Sequence, residues 1–256
     1  MLIDSHCHLD FADFDEDRQQ VIENCAQLGI GKLVIPGTQA STWSGILQLS
    51  QEYQAIKPAL GLHPYFLEHF KPADLALLIQ LLSQFSDNIV AVGEIGLDHV
   101  IDIAPELQMT VLIQQLQIAN DFNLPVILHH RRSHNDLIKT LKQQRFKWGG
   151  IVHAFSGSLQ EANTYIELGF KLGVGGVITY PRAHKTREVV RLLPLDALVL
   201  ETDSPDMPPM GKQGLRNSPQ NLILILNELS HLRQESPEQI MAQCRYNVLN
   251  TLRNMH

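Results

Sequence analysis

The stretch IVAVGEIG, Ile89–Gly96, decides how the chain folds. It is an apolar run with no polar alternation before Glu94, and a strand of that kind is buried on both faces, as in a parallel sheet covered by helices. Seven other runs share this character: LIDS from Leu2, KLVIPG from Lys32, KPALGLH from Lys57, PVILHH from Pro125, GIVHAFSG from Gly150, FKLGVGG from Phe170 and ALVLETD from Ala197. Between them lie segments with apolar residues three and four apart, the mark of amphipathic helices, at Arg18 to Leu28, Trp43 to Tyr53, Leu75 to Phe85, Leu107 to Phe122, Leu137 to Gln144, Gln160 to Leu168, Thr186 to Leu193 and Leu222 to Leu232. A last one runs from Pro237 to Leu252. Eight units in 256 residues leave about 32 each, close to the minimum for a β-α-β repeat, and a (β/α)8 barrel typically runs to about 250 residues. The expectation is an α/β fold, a single (β/α)8 TIM barrel spanning residues 1–256 as one domain. The competing open, doubly wound sheet lacks its usual signals, a GxGxxG after the first strand or a GxxxxGK[ST] loop.

Composition narrows the function classes. At 44% hydrophobic and 18% charged residues, the chain is neither disordered nor fibrous. Twenty basic residues against 27 acidic ones give a net charge of −7, so there is no global electrostatic footprint of the kind non-specific nucleic-acid binding usually needs, and any phosphate binding is expected to be local. Cys7, Cys25 and Cys244 form no CxxC pair and are odd in number, which argues against a disulfide framework or a cysteine zinc site and for a reducing, cytoplasmic location. The N-terminal MLIDSHCHLD has no basic region followed by an apolar run, and no apolar stretch approaches 18 residues, so no membrane association is expected. Nothing in the sequence calls for an obligate protein partner.

The strongest chemical signal is where the histidines fall. His6 and His8 end the first strand, His63 the third, His129 and His130 the fifth and His153 the sixth, while Glu94 and Asp98 end the fourth and Asp203 the eighth. In a barrel these ends share one rim, the rim on which active sites are built. His6 and His8 alternate across Cys7, so both imidazoles face one side of an extended strand and can bind one cation. The histidines and carboxylates together offer mixed nitrogen and oxygen ligands suited to zinc, manganese or magnesium, too many for one four-coordinate ion, and two divalent cations are the natural count. Glu94, between Gly93 and Gly96, is the candidate bridge, the alternative being a strand-end ion pair. Asp203 in LETDSP can ligate one ion and take a proton from water, or cap the following turn. Cys7, on the opposite strand face, reads as core.

These motifs resemble the TatD family of metal-dependent deoxyribonucleases, among the amidohydrolase-like TIM barrels. The matching segments are DSHCHLD from Asp4, GLHP from Gly61, GEIGLD from Gly93, PVILHHR from Pro125, VHAFSGS from Val152, and ETDSP from Glu201 followed by RNSPQN from Arg216. The resemblance implies that His6 and His8 bind a first metal, Glu94 bridges, His129 and His153 bind a second, and Asp203 completes the first site and activates water. It also implies hydrolysis of DNA phosphodiesters, 3′–5′ exonuclease-like on single strands. The chain departs from the common pattern at His99 and His130, where the family often has an aromatic and a small residue, and this bears on substrate choice. His130 faces either the helical layer or the site.

Candidate phosphate contacts are few. From His129 to Lys147, six basic residues stand against the single acid Asp136, and of these Arg131 and Arg132 lie nearest the rim. Either can fork onto phosphate oxygens, whereas Lys139 and its successors read as a solvated helix face. His63 and Arg216 are further candidates for phosphate or leaving-group contact, or equally loop anchors, and Lys212 lies in the same last loop as Arg216. The expected partner is a single-stranded DNA end reaching into a pocket. Two rival readings remain on sequence alone. The same centre polarises a carbonyl as readily, which admits a carbon ester or amide hydrolase such as an aminoacyl-tRNA deacylase or lactonase. The other is a non-catalytic metal-binding scaffold, which would need its open coordination positions blocked.

Overall fold

The computed structural model describes residues 1–255. Strands and helices alternate: β1 (Leu2–Asp4), α1 (Arg18–Gln27), β2 (Ile30–Pro36), α2 (Trp43–Glu52), β3 (Ile56–Leu60), α3 (Pro72–Gln84), β4 (Ala91–Asp98), α4 (Pro105–Asp121), β5 (Val126–Arg131), α5 (His134–Gln143), β6 (Gly150–Val152), α6 (Leu159–Glu167), β7 (Phe170–Val174), α7 (His184–Leu192), β8 (Leu198–Leu200), α8 (Leu222–Arg233) and α9 (Pro237–Thr251). All eight expected strands and nine expected helices form. The strands pair in parallel in chain order, from β1 beside β2 to β7 beside β8. Just past the ends of β1 and β8 the barrel closes: Ser5 N donates to Leu200 O at 3.0 Å, Asp203 N to His6 O at 2.9 Å and His8 N to Ser204 O at 2.7 Å. Buried Asp4 ties the same seam, its Oδ1 accepting from Thr202 N at 3.0 Å. The fold is a (β/α)8 TIM barrel.

Two apolar layers hold it. The larger lies between strands and helices and includes Trp43, Leu78, Leu116 and Tyr165. The smaller fills the barrel itself with Ile3, Val34, Ala59, Ala91, Ile127, Ile151 and Val199, and Val248 and Leu252 at the end of α9 close its lower mouth. Successive same-face residues in a strand are two apart. The inward register that buries Ile127, Ile151 and Val199 therefore carries His129, His153 and Glu201 to the upper mouth, and Ala59 continues through Gly61 to His63. Polar residues thus cap an apolar plug without lying inside it.

Two strands are shorter than their apolar runs. After β6 and β8 the chain turns at Ala154 and Asp203, both left-handed with φ of 44° and 55°, so His153 and Asp203 stand just beyond the ladder. Glycine is required where β4 meets β5: a Cβ on Gly96 would lie 2.1 Å from the carbonyl oxygen of His129. No helix among the described residues is long and apolar enough to cross a membrane.

Candidate metal centre

At the C-terminal mouth the side chains converge on Glu94, which is 2% exposed. One group gathers on its Oε2. His6 Nε2 stands 3.2 Å from that oxygen, 3.2 Å from His8 Nε2 and 3.5 Å from Asp203 Oδ1. His8 Nε2 is 3.7 Å from both the Glu94 and the Asp203 oxygens. Ligand bonds of about 2.1 Å in a tetrahedron hold ligand atoms about 3.4 Å apart, so these four atoms are spaced as ligands of one ion. A second group gathers on Oε1, with His129 Nδ1 at 3.1 Å, His63 Nε2 at 3.4 Å and His153 Nε2 at 4.0 Å. Asp203 reaches this side too, its Oδ2 lying 3.6 Å from His153 Nε2. Trios drawn from these atoms, His6–His8–Asp203, His6–Glu94–His153 and His63–Glu94–His129, are each compact enough to hold a cation. The donor set of imidazole and carboxylate suits a divalent ion, and both carboxylates span the two groups.

Electrostatics follow from burial and crowding. Burial drives the His8 imidazole down to about 4 and holds that of His6 well below its usual range, so both present neutral nitrogens. Burial also lowers His153, but Asp203, Glu201 and Glu94 outweigh it and lift this imidazole to about 10. Burial would raise Glu94, yet His63, His6 and His153 hold it well below the carboxylate range. Asp203 is pushed up to about 7, chiefly by burial, against the pull of His153.

The remaining expected residues separate. Asp98 reaches the second group, its Oδ2 lying 3.3 Å from His129 Nε2. His63 sits among the ligand-capable atoms, and its Nδ1 accepts from Tyr65 N at 3.0 Å. Arg131 is exposed, with its guanidinium 4.0 Å from Asp98. Arg132, also exposed, follows it in a left-handed turn with φ of 55°. Arg216 is engaged elsewhere: it forks onto Asp17 at 2.6 and 2.8 Å and lies 4.4 Å above the Phe14 ring. His130 is buried on the helical side, its ring 4.1 Å from that of His134. His99 stands 3.5 Å from Asp136. Cys7 is buried in the outer core layer.

Two features escaped the sequence reading. The centre opens into a pocket of about 370 Å³ whose lip carries Phe11, Tyr65 and Phe66. Tyr65 is 61% exposed, and the Phe11 ring stacks on His8 at 4.7 Å. Aromatic residues just after strand-end histidines were the available signal. The other is Glu201, fully buried, whose Oε1 is 2.9 Å from His153 Nδ1. Alternation along ALVLETD places it on the inward face with Val199 and Asp203.

A parallel barrel with imidazole and carboxylate ligands gathered at the C-terminal mouth defines a metal-dependent hydrolase. Residues 3–253 match the family described as TatD related DNase, and the chain belongs to the TatD family. It is similar to YjjV of Escherichia coli K12, described as an uncharacterized metal-dependent hydrolase, with 46% identity covering 99% of this chain and 98% of that one. The crystal structure of YjjV, a TatD homologue, superposes with a TM-score of 0.92 at 45% identity, covering 96% of this chain and 95% of that one. Human TATDN3, described as a deoxyribonuclease, is 30% identical over 97% of this chain and 93% of its own length.

Proposed function

We propose that this chain is a deoxyribonuclease that hydrolyses phosphodiester bonds from a free end of single-stranded DNA with two divalent cations, zinc, manganese or magnesium. The observation that carries the reading is that Glu94 and Asp203 each offer one oxygen to either of two adjacent ligand groups, beneath a pocket with an aromatic lip. Bound there, such ions supply Lewis acidity toward a phosphoryl oxygen and an activated water. His6 and His8 hold one side, His129 and His153 the other, and Glu94 ties the two. Asp203 accepts the proton released in the attack. Arg131, exposed at the rim beside Asp98, meets a backbone phosphate as a bidentate fork. Phe11, Tyr65 and Phe66 offer rings on which bases stack, which every nucleobase can do. A net charge of −7 disfavours a broad cationic track for a duplex, and a strand end entering a pocket needs none. The human relative named a deoxyribonuclease supports the same chemistry.

The test is a panel on the ion-loaded protein: end-labelled linear single strands, a covalently closed single-stranded circle, duplex DNA, RNA, a lactone and an aminoacyl ester. Progressive shortening of the linear strand with the circle spared is expected. Rapid cutting of the circle would remove the need for an end, and turnover of the carbon esters alone would remove the nuclease reading.

A further inference from the structure

Glu201 belongs to neither ligand group, yet its side chain is fully buried at the wall of the centre. A carboxylate without solvent is costly, and here only one of its two oxygens has hydrogen-bond partners. Its Oε1 takes two donors, His153 Nδ1 at 2.9 Å and the backbone N–H of Ala154 at 2.6 Å. The second bond secures the turn at Ala154, whose φ of 44° is unfavourable for a residue with a Cβ. The first fixes His153: with Nδ1–H donated to Glu201, Nε2 is the nitrogen left facing the centre, toward Asp203 Oδ2 at 3.6 Å and Glu94 Oε1 at 4.0 Å. The neighbouring strand makes room for this carboxylate. A Cβ on Gly173 of β7 would lie 2.2 Å from Glu201 Oε2, so any other residue there would push the group off His153.

We propose that Glu201, seated against Gly173, is the positioning residue of the second metal site: it holds His153 in the Nδ1–H tautomer and strengthens its Nε2 as a ligand. A buried carboxylate behind a ligating imidazole orients the ring and raises its basicity, and losing such a partner lowers metal affinity by about 10- to 100-fold. The inference rests on reading the centre as a metal site, not on DNA as substrate.

The test is Glu201→Gln. Its amide oxygen can still accept from both His153 and Ala154, so a merely structural role survives the change while the charge is lost. Zinc titration of the metal-stripped protein by calorimetry should show one of two sites weakened about 10- to 100-fold, with unchanged stoichiometry at saturation. Gly173→Ala should weaken the same site with the charge intact. A zinc isotherm superimposable on the parent for both variants would overturn the proposal. A measurement on the parent guards against misfolding of either variant: imidazole ¹⁵N spectra of the zinc-loaded protein, assigned with His153→Gln, should show His153 protonated at Nδ1. Protonation at Nε2 with a bare Nδ1 overturns it equally. Because the titration uses no nucleic acid, weakened zinc binding in a protein that leaves DNA uncut would sink the nuclease reading and leave this one standing.

Discussion

Replacing Glu94 by Gln tests the shared bridge most directly. Both ligand groups close on this one side chain, at 3.2 Å from His6 and 3.1 Å from His129, through different oxygens. Glutamine keeps the shape and one oxygen, but its NH₂ has no lone pair for an ion, and the negative charge between the sites is gone. Taking screening by bulk water as the weakest case, a dication about 2.1 Å from a singly charged oxygen gains about 4 kcal/mol from that charge. That corresponds to about a thousandfold in affinity. Since both sites contact the carboxylate, both should weaken together, by at least about 10²-fold after allowing for the retained amide oxygen. The assay is calorimetric titration of zinc and manganese into metal-stripped protein, with elemental analysis of the loaded form. Two ions per chain are expected for the parent and fewer than two for the variant at micromolar metal. A variant that binds two ions within about fivefold of parental affinity would refute the bridge, and so would a parent that never takes up more than one.

Other outcomes follow from the same geometry. Asp203→Asn keeps an oxygen near both groups but loses the base, so kcat on a single strand should fall by about 10²-fold or more with a smaller change in KM, measured by initial rates at saturating metal. Tyr65→Ala should raise KM roughly 5- to 150-fold, the range expected for one lost base stack, and Arg131→Ala should raise it too and flatten the salt dependence of binding. Arg216→Ala should leave KM unchanged and lower thermal stability by about 1 kcal/mol, because its fork on Asp17 and its place over Phe14 anchor the last loop; a large KM effect would return it to the substrate. In chelator, melting temperature should fall between pH 7 and 10. His153 is raised to about 10 from 6.5, so its charge stabilises the metal-free fold fully below pH 6.5 and that contribution fades as pH climbs to 10. Asp4, raised to about 8 by burial, adds a loss of the same sign as it ionises. Saturating zinc, which replaces the His153 proton, should flatten this slope, and a flat profile in chelator would count against the His153 assignment.

The sequence by itself determined the barrel and the address of its chemistry. A strand buried on both faces has no polar alternation, so eight apolar runs separated by amphipathic segments specify a covered parallel sheet, and residues at strand ends in such a sheet must share a rim. That is why His6, His8, His63, Glu94, Asp98, His129, His130, His153 and Asp203 share one rim on sequence alone, and the resemblance to the TatD family singles out His6, His8, Glu94, His129, His153 and Asp203 among them. Tertiary structure alone decided which other rim candidates join them. His63 enters among the ligand-capable atoms because the inward register of β3 continues through Gly61, whereas Arg216 turns away because Asp17, nearly 200 positions earlier, lies within its reach. His130 packs outward because consecutive strand residues face opposite ways and His129 has taken the inward place. The pairing of Glu201 with His153 joins β8 to the end of β6, and room for it exists only because the strand between them carries Gly173. Such contacts depend on ångström distances between segments remote in the chain, and periodicity, which reports the face a residue takes, carries no information about which partner stands opposite.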